Sequence, residues 1–314
     1  MFLNIYLIIC FEFIPMGNNH ELWGFNPHKL INRQAIFTLP PAMIIFYKHY
    51  MHFISEEAVK ADRRRYAVPQ EGARHYIDLD YYGSDLPRYW EDLIRSYPKD
   101  SIESHGILPW HLAVVKFQLT EAFKEGSIKK ILRISSDAGH YIADAHVPLH
   151  TTSNYNGQFT GQHGIHGFWE TRIPELFFDE FDLWVGKASY QGEWNKTIWE
   201  IIMESHRAVD SVLYYERYLT STFPNDRKYT YEVRLSQLVK VYSKDFSKSY
   251  HLALDNQVER RFRAAIRAVG DFWYTCWVDA GQPDLARLKK QDRSYTTDYQ
   301  HFGDSLWRKQ HAPR

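Results

Sequence analysis

Two histidine–carboxylate pairs, His140 with Asp144 and His166 with Glu170, are each spaced four residues apart. On a helix that spacing puts both side chains on one face, a turn apart, where they can reach a single cation. Asp144 has two carboxylate oxygens and can bridge two cations. His150 follows Pro148 and so comes from the loop that leaves the first helix. A single pair means little. Sixteen histidines, each with 38 chances in 314 of an acidic residue four positions on, give about two such pairs at random. The chain has five, headed by His52, His140, His166, His206 and His251. The signal is the ordered series: Trp23, His28, Asp62, His75, His140, Asp144, His150, His166 and Glu170. Imidazole and carboxylate without sulfur form a donor set that suits zinc.

Helices must carry most of this series. Residues 108–125 have apolar positions at helical spacing (Leu112, Val115, Leu119, Ala122), and Gly126 ends them. Residues 129–145 form a second such helix, which Pro148 stops near His146. A third is expected over 163–178, interrupted at Pro174, and further helices over 198–218, 231–256 and 257–281. Residues 62–80 contain Pro69 and Gly72 and read as a loop. Alternating strand patterns are scarce. The expectation is an all-α fold with one catalytic domain over 23–281, an apolar segment over 1–22 and a polar tail over 282–314.

This order of residues resembles the zinc-dependent phospholipase C family of bacteria. It is also similar to the fungal and plant single-strand-specific nucleases, which share that fold. The resemblance covers the ligand skeleton from Trp23 to Glu170; the later helices match only in being helical. It implies an all-helical domain with a cleft for three zinc ions. Asp62, His75, His140 and Asp144 would hold one zinc, and His150, His166 and Glu170 a second. The backbone amine and carbonyl of Trp23 would join His28 and Asp144 on a third, with Asp144 bridging. Asp62 would also be the general base. In the family that tryptophan is the first residue of the mature protein. Here 22 residues precede it without an evident cleavage site, so the third ion depends on processing. Glu170 stands where the phospholipase branch typically has Glu and the nuclease branch Asp, which tips the expectation toward a phospholipase.

The implied reaction is hydrolysis of a phosphodiester by zinc-activated water. Close cations neutralise charge on the phosphoryl oxygens and lower the pKa of a water from 15.7 toward roughly 7. The substrate would be a phospholipid head group, with peripheral contact to a membrane surface. The alternatives are a nuclease acting on single strands and 3′-phosphates, and a zinc-binding structural protein without activity. Nothing in the sequence points to a protein partner. The formal net charge is zero at pH 7, so the chain lacks the basic footprint of a duplex binder. Cys10 and Cys276 are the only cysteines, which argues against a disulfide framework and a thiolate metal site. The apolar stretch over 2–16 resembles a signal peptide and suggests export, although no Lys or Arg precedes it and Glu12 interrupts it.

Several neighbours read more simply. His111 reads as a core histidine, and Phe168 and Trp169 as helix packing. His146 and His163 match no ligand position. Asp78 or Asp80 could orient His75 from behind. Arg63, Arg64 and Arg65 could draw an anionic group toward Asp62, or be a solvated loop.

Overall fold

The computed structural model describes residues 25–83, 86–234 and 236–291. The N-terminal segment with Trp23, and residues 292–314, lie outside the described residues. Helices make up 70% of the structure, and a single two-stranded hairpin is the only sheet among the described residues, so the class is all-α. No described helix is long and apolar enough to cross a membrane.

The described residues open with four helices: α1 (Phe25–Ala35), α2 (Pro41–His49), α3 (Met51–Glu57) and the short α4 (Lys60–Arg64). A 3₁₀ turn, Pro69–Arg74, follows, then three short helices, α5 (Leu79–Tyr82), α6 (Trp90–Ser96) and α7 (Lys99–His105). The expected loop over 62–80 thus contains two helical turns, and Asp62 sits on a helix. The central pair is α8 (Leu108–Glu125) and α9 (Ile128–Ala145), antiparallel neighbours with the expected bounds. Gly126 ends α8 in the left-handed region (φ 66°), which costs a glycine little.

After a second 3₁₀ turn, Pro148–Thr151, the chain runs through α10 (Ile165–Gly167), a π-helical turn Phe168–Arg172, and α11 (Ile173–Phe177). Pro174, which has no N–H to give the preceding turn, falls where the π turn gives way to α11, so the run changes helix type beside it. The expected helix over 198–218 is two helices, α12 (Trp194–Arg207) and α13 (Val209–Thr222), separated at Ala208. The expected helix over 231–256 is also corrected. Its first part is an antiparallel hairpin, β1 (Tyr229–Arg234) and β2 (Gln237–Tyr242), and only α14 (Lys244–Ala253) is helical. The alternation Tyr-Thr-Tyr-Glu-Val-Arg and Gln-Leu-Val-Lys-Val-Tyr is a strand pattern rich in β-branched and aromatic residues. The long α15 (Gln257–Asp279) crosses the centre, and α16 (Leu285–Gln291) lays Leu285 against α2.

The main core lies between α1, α3, α8, α9 and α15. Tyr47 stacks on Trp273 at 4.8 Å, and the indole N–H of Trp273 donates to the Ser135 carbonyl. One polar residue sets the spacing that matters for the site. Buried Asn32 on α1 donates through Nδ2 to the carbonyls of Ile54 (3.2 Å) and Ser136 (3.1 Å). It lies so close to Gly139 that a Cβ there would meet its Oδ1 at 1.8 Å. Glycine therefore lets α1 and α9 approach closely, one residue before His140 and one turn after His28. A second core, with Val147, Leu149, Phe168, Phe246 and Tyr250, lies under the π turn.

Candidate metal centre

The helices bring all eight described members of the series together. Three groups place their donor atoms within 4.8 Å of one another: His28, His140 and Asp144; Asp62, His75 and His140; and His150, His166 and Glu170. His28 comes from α1, Asp62 from α4, His75 from the end of the first 3₁₀ turn, and His140 and Asp144 from α9. His150 comes from the second 3₁₀ turn, His166 from α10 and Glu170 from the π turn.

Asp144 sits at the middle. Its Oδ2 lies 2.9 Å from His75 Nδ1 and 3.2 Å from His140 Nε2, while its Oδ1 faces His28 Nε2 at 3.5 Å. Each oxygen thus addresses a different group, as a bridging carboxylate requires. Glu170 has a similar division: Oε2 lies 2.8 Å from His166 Nε2 and 3.5 Å from His150 Nε2, and Oε1 lies 3.3 Å from His28 Nε2. Asp62 Oδ1 stands 3.9 Å from His75 Nδ1 and 3.8 Å from His140 Nε2. The His28 group is completed by His140, and Trp23, the other ligand implied there, lies outside the described residues.

These residues fit a divalent cation. His75 Nδ1 and His140 Nε2 face each other at 2.9 Å with Asp62 and Asp144 beside them. Two ring nitrogens so placed must share a proton or direct two lone pairs at one cation. The backbone fixes which nitrogen of two other rings turns inward. His150 Nδ1–H donates to the His75 carbonyl at 2.6 Å, and His166 Nδ1–H to the Tyr155 carbonyl at 3.2 Å, leaving Nε2 of each toward Glu170. Such outer hydrogen bonds orient metal-binding imidazoles. The set has five imidazoles, three carboxylates and no thiol, since Cys276 is buried elsewhere in the main core. It can hold metal ions, and it is compatible with zinc.

No family model matches the chain, and no curated protein matches it.

Without a cation the centre holds protons. Burial works against charge on His140, but the carboxylates of Asp144 and Asp62 outweigh it and push the imidazole up to about 9. Burial likewise opposes charge on His150, and Asp144 and Glu170 bring it up to about 9. Burial raises Asp144 and Glu170, but the imidazoles facing them hold both well below the usual carboxylate range. At pH 7 His140 and His150 therefore carry protons that a cation must displace. Metal uptake at that pH should release about two protons. Affinity should fall as pH drops below about 9 and level off above it. Calorimetry in buffers of different ionisation enthalpy measures the release; uptake without proton release would contradict this arrangement.

The neighbours divide clearly. His111 packs edge-on against Tyr141 at 4.7 Å, and burial lowers it to about 3. His146 is buried, donates Nδ1–H to the Ile142 carbonyl and is lowered by burial to about 3. Phe168 stacks on Tyr242 at 3.8 Å, and Trp169 is buried with its N–H on Gln257. Asp78 accepts from His105, and Asp80 accepts from Ser153 and Thr152, clamping the loop after His150. Neither aspartate is behind His75; that place belongs to Glu71. Arg64 turns inward to Glu71 and Asp137, and Arg65 pairs with Asp62 at 3.1 Å.

Glu71 is a residue beside the centre that sequence reasoning missed. Its carboxylate is fully buried and accepts from Arg64 Nη2 (3.0 Å), Arg74 Nη1 (2.5 Å) and the Tyr141 hydroxyl. Its Oε1 stands 3.9 Å from His75 Nε2, which has no hydrogen-bond partner among the described residues. The available signal was Glu71 four residues before His75, the reverse order of the pairs that drew attention.

Proposed function

We propose that this chain is a zinc-dependent phosphoric ester hydrolase that cleaves phosphodiesters, with a phospholipid head group as the preferred substrate. One observation carries the reading: eight imidazole and carboxylate side chains from separate segments converge on one sulfur-free constellation, arranged as three overlapping donor groups. Asp62, His75, His140 and Asp144 would hold one zinc, and His150, His166 and Glu170 a second. His28 and Asp144 would contribute to a third together with Trp23. Bound zinc would supply Lewis-acid stabilisation of the phosphoryl oxygens and acidify a water.

The residues supply the rest. His28, His140 and Asp144 are buried, while Asp62 (17% exposed) and His166 (26%) lie toward solvent. Substrate therefore enters on the Asp62–His166 side. Asp62 is the carboxylate at that rim, and it takes the proton from the attacking water. Asp144 and Glu170 stay ionised because the imidazoles facing them stabilise their charge. A mostly apolar cavity lined by Ile31, Val147, Trp169 and Phe262, with Arg261 on its wall, lies behind His28 and Glu170.

A second reading, cleavage of single-stranded nucleic acid, has one observation in its favour. Tyr155 is 55% exposed, with its ring edge-on to His166 at 6.2 Å, where a base could stack. Hydrolysis of a chromogenic phosphodiester, abolished by chelator and restored by zinc, is the expected result. Absence of hydrolysis by the zinc-loaded protein would overturn the enzyme reading. A panel of phosphatidylcholine, single-stranded DNA and RNA then separates the two substrates.

A further inference from the structure

The two histidines of the group His150, His166 and Glu170 come from the two ends of one loop. His150 lies in the second 3₁₀ turn and His166 in α10, and residues 152–164 between them hold no helix or strand. No regular element therefore sets the distance between the two imidazoles. The loop is braced from within: Asn154 Oδ1 accepts from the Phe159 N–H (2.8 Å) and Asn156 Oδ1 from the Gly164 N–H (3.0 Å). It is tied to the body of the protein near both ends. Beside His150, Asp80 accepts from the Ser153 N–H (2.9 Å) and the Thr152 hydroxyl (3.2 Å). Before His166, Gln162 Nε2 donates to Glu216 Oε2 (2.6 Å) and to the Leu213 carbonyl (2.8 Å), both on α13.

Glu216 is an acid in an apolar place. It is 2% exposed, one turn after Val212, which belongs to the second core. Its other oxygen, Oε1, accepts from Lys228 Nζ and from the Thr220 hydroxyl, each at 2.9 Å. Lys228 is buried as well, with its ammonium 5.3, 5.5 and 5.2 Å from the ring centres of Tyr229, Tyr242 and Phe246. A buried ion pair is often no more stabilising than apolar residues of similar volume, and its best-attested use is to fix one register. Glu216 has the form for that use: one oxygen is tied to Lys228, the other to the loop.

We propose that Glu216 and Gln162 are positioning residues for this metal group, setting where the loop presents His166. Two short connections carry the effect. The Gln162 carbonyl accepts from the N–H of Ile165, the first residue of α10 and the one before His166, at 3.1 Å. The Tyr155 carbonyl, on the same loop, accepts from His166 Nδ1–H and so turns Nε2 toward Glu170. The surroundings also orient the Gln162 amide: with Nε2 on Glu216, its Oε1 accepts from Arg217 Nη2 (3.4 Å). A hydrogen bond to a carboxylate is roughly twice as strong as one between neutral groups, so the link to Glu216 dominates this anchor. The role rests on the zinc-binding part of the proposed function and does not require hydrolysis.

The test is zinc titration of the full chain, stripped of metal and read by chelator competition. His166→Ala marks the ion that belongs to this group, as the one it weakens most. Gln162→Ala should weaken the same ion roughly tenfold, the low end for loss of an outer partner, and leave the others within about twofold. E216L/K228M, which removes the acceptor without leaving a charge unpaired in the core, should do the same. E216Q/K228M keeps an acceptor oxygen for Gln162 and should bring the affinity back toward that of the unaltered protein. A merely structural role would lower the melting temperature without singling out one ion. Unchanged zinc affinity in Gln162→Ala would overturn the proposal, as would a loss spread equally over all ions. An unaltered chain that takes up no zinc would overturn it together with the metal reading. Zinc uptake without hydrolysis of any phosphodiester, with Gln162→Ala still selective for one ion, would support the positioning and refute the hydrolase reading alone.

Discussion

Asp62→Asn should retain bound zinc and lose roughly a hundred- to ten-thousandfold in kcat, the range expected for loss of a general base. Asparagine keeps an oxygen where Asp62 Oδ1 faces His75 and His140 at 3.9 and 3.8 Å, so ligation can persist. It cannot accept a proton. The loss corresponds to about 3–5 kcal/mol of transition-state stabilisation. In the zinc-loaded protein stability should change little: the pair with Arg65 at the solvent rim is lost, and such pairs contribute about 0–1 kcal/mol, while the oxygen facing His75 and His140 stays. Metal analysis beside steady-state kinetics distinguishes the roles. Near-normal turnover would remove Asp62 as the base. If metal and activity fell together and excess zinc restored both, Asp62 would be a ligand without a proton-transfer role.

What could be read from the sequence follows how local each feature is. Helices α8 and α9 were legible because their apolar period, Gly126 and Pro148 are local signals. The pairs His140–Asp144 and His166–Glu170 were legible for the same reason. Asp62 and His75 were not: Asp144 meets His75 across 69 residues, and no periodicity records that meeting. They entered only through the order of the whole series. The hairpin is hard to tell from a helix in the sequence because its strand pattern runs straight into the helical period of α14. The break at Ala208 carries no proline or glycine, so no local signal marks it. Arg64 shows the same limit. Its neighbours in sequence suggested a solvated loop or an anion-attracting run, yet it folds inward, because the acceptors Glu71 and Asp137 come from elsewhere.

Glu71→Ala should be the most damaging substitution outside the ligand set. It leaves Arg64, Arg74 and the Tyr141 hydroxyl each short of an acceptor in or beside the core. Removing one partner of a buried charge network costs about 3–5 kcal/mol. That corresponds to a drop in Tm of roughly 10 °C. A second effect should accompany it. His75 turns Nδ1 toward Asp144 and His140, so its Nε2–H points at Glu71, 3.9 Å away. Glu71 is held ready by its donors: burial raises its carboxyl, but Tyr141 and Arg64 outweigh that and keep it below its ordinary value. A small contraction around a bound cation would close this gap into a hydrogen bond. Loss of such outer partners lowers metal affinity roughly 10- to 100-fold. Chelator competition at a temperature where both proteins are folded measures it, and Glu71→Gln, which keeps an acceptor oxygen, should recover part of both losses. An Ala variant that melts early but holds zinc as tightly as the unaltered protein would make Glu71 a purely structural residue, with no part in orienting His75.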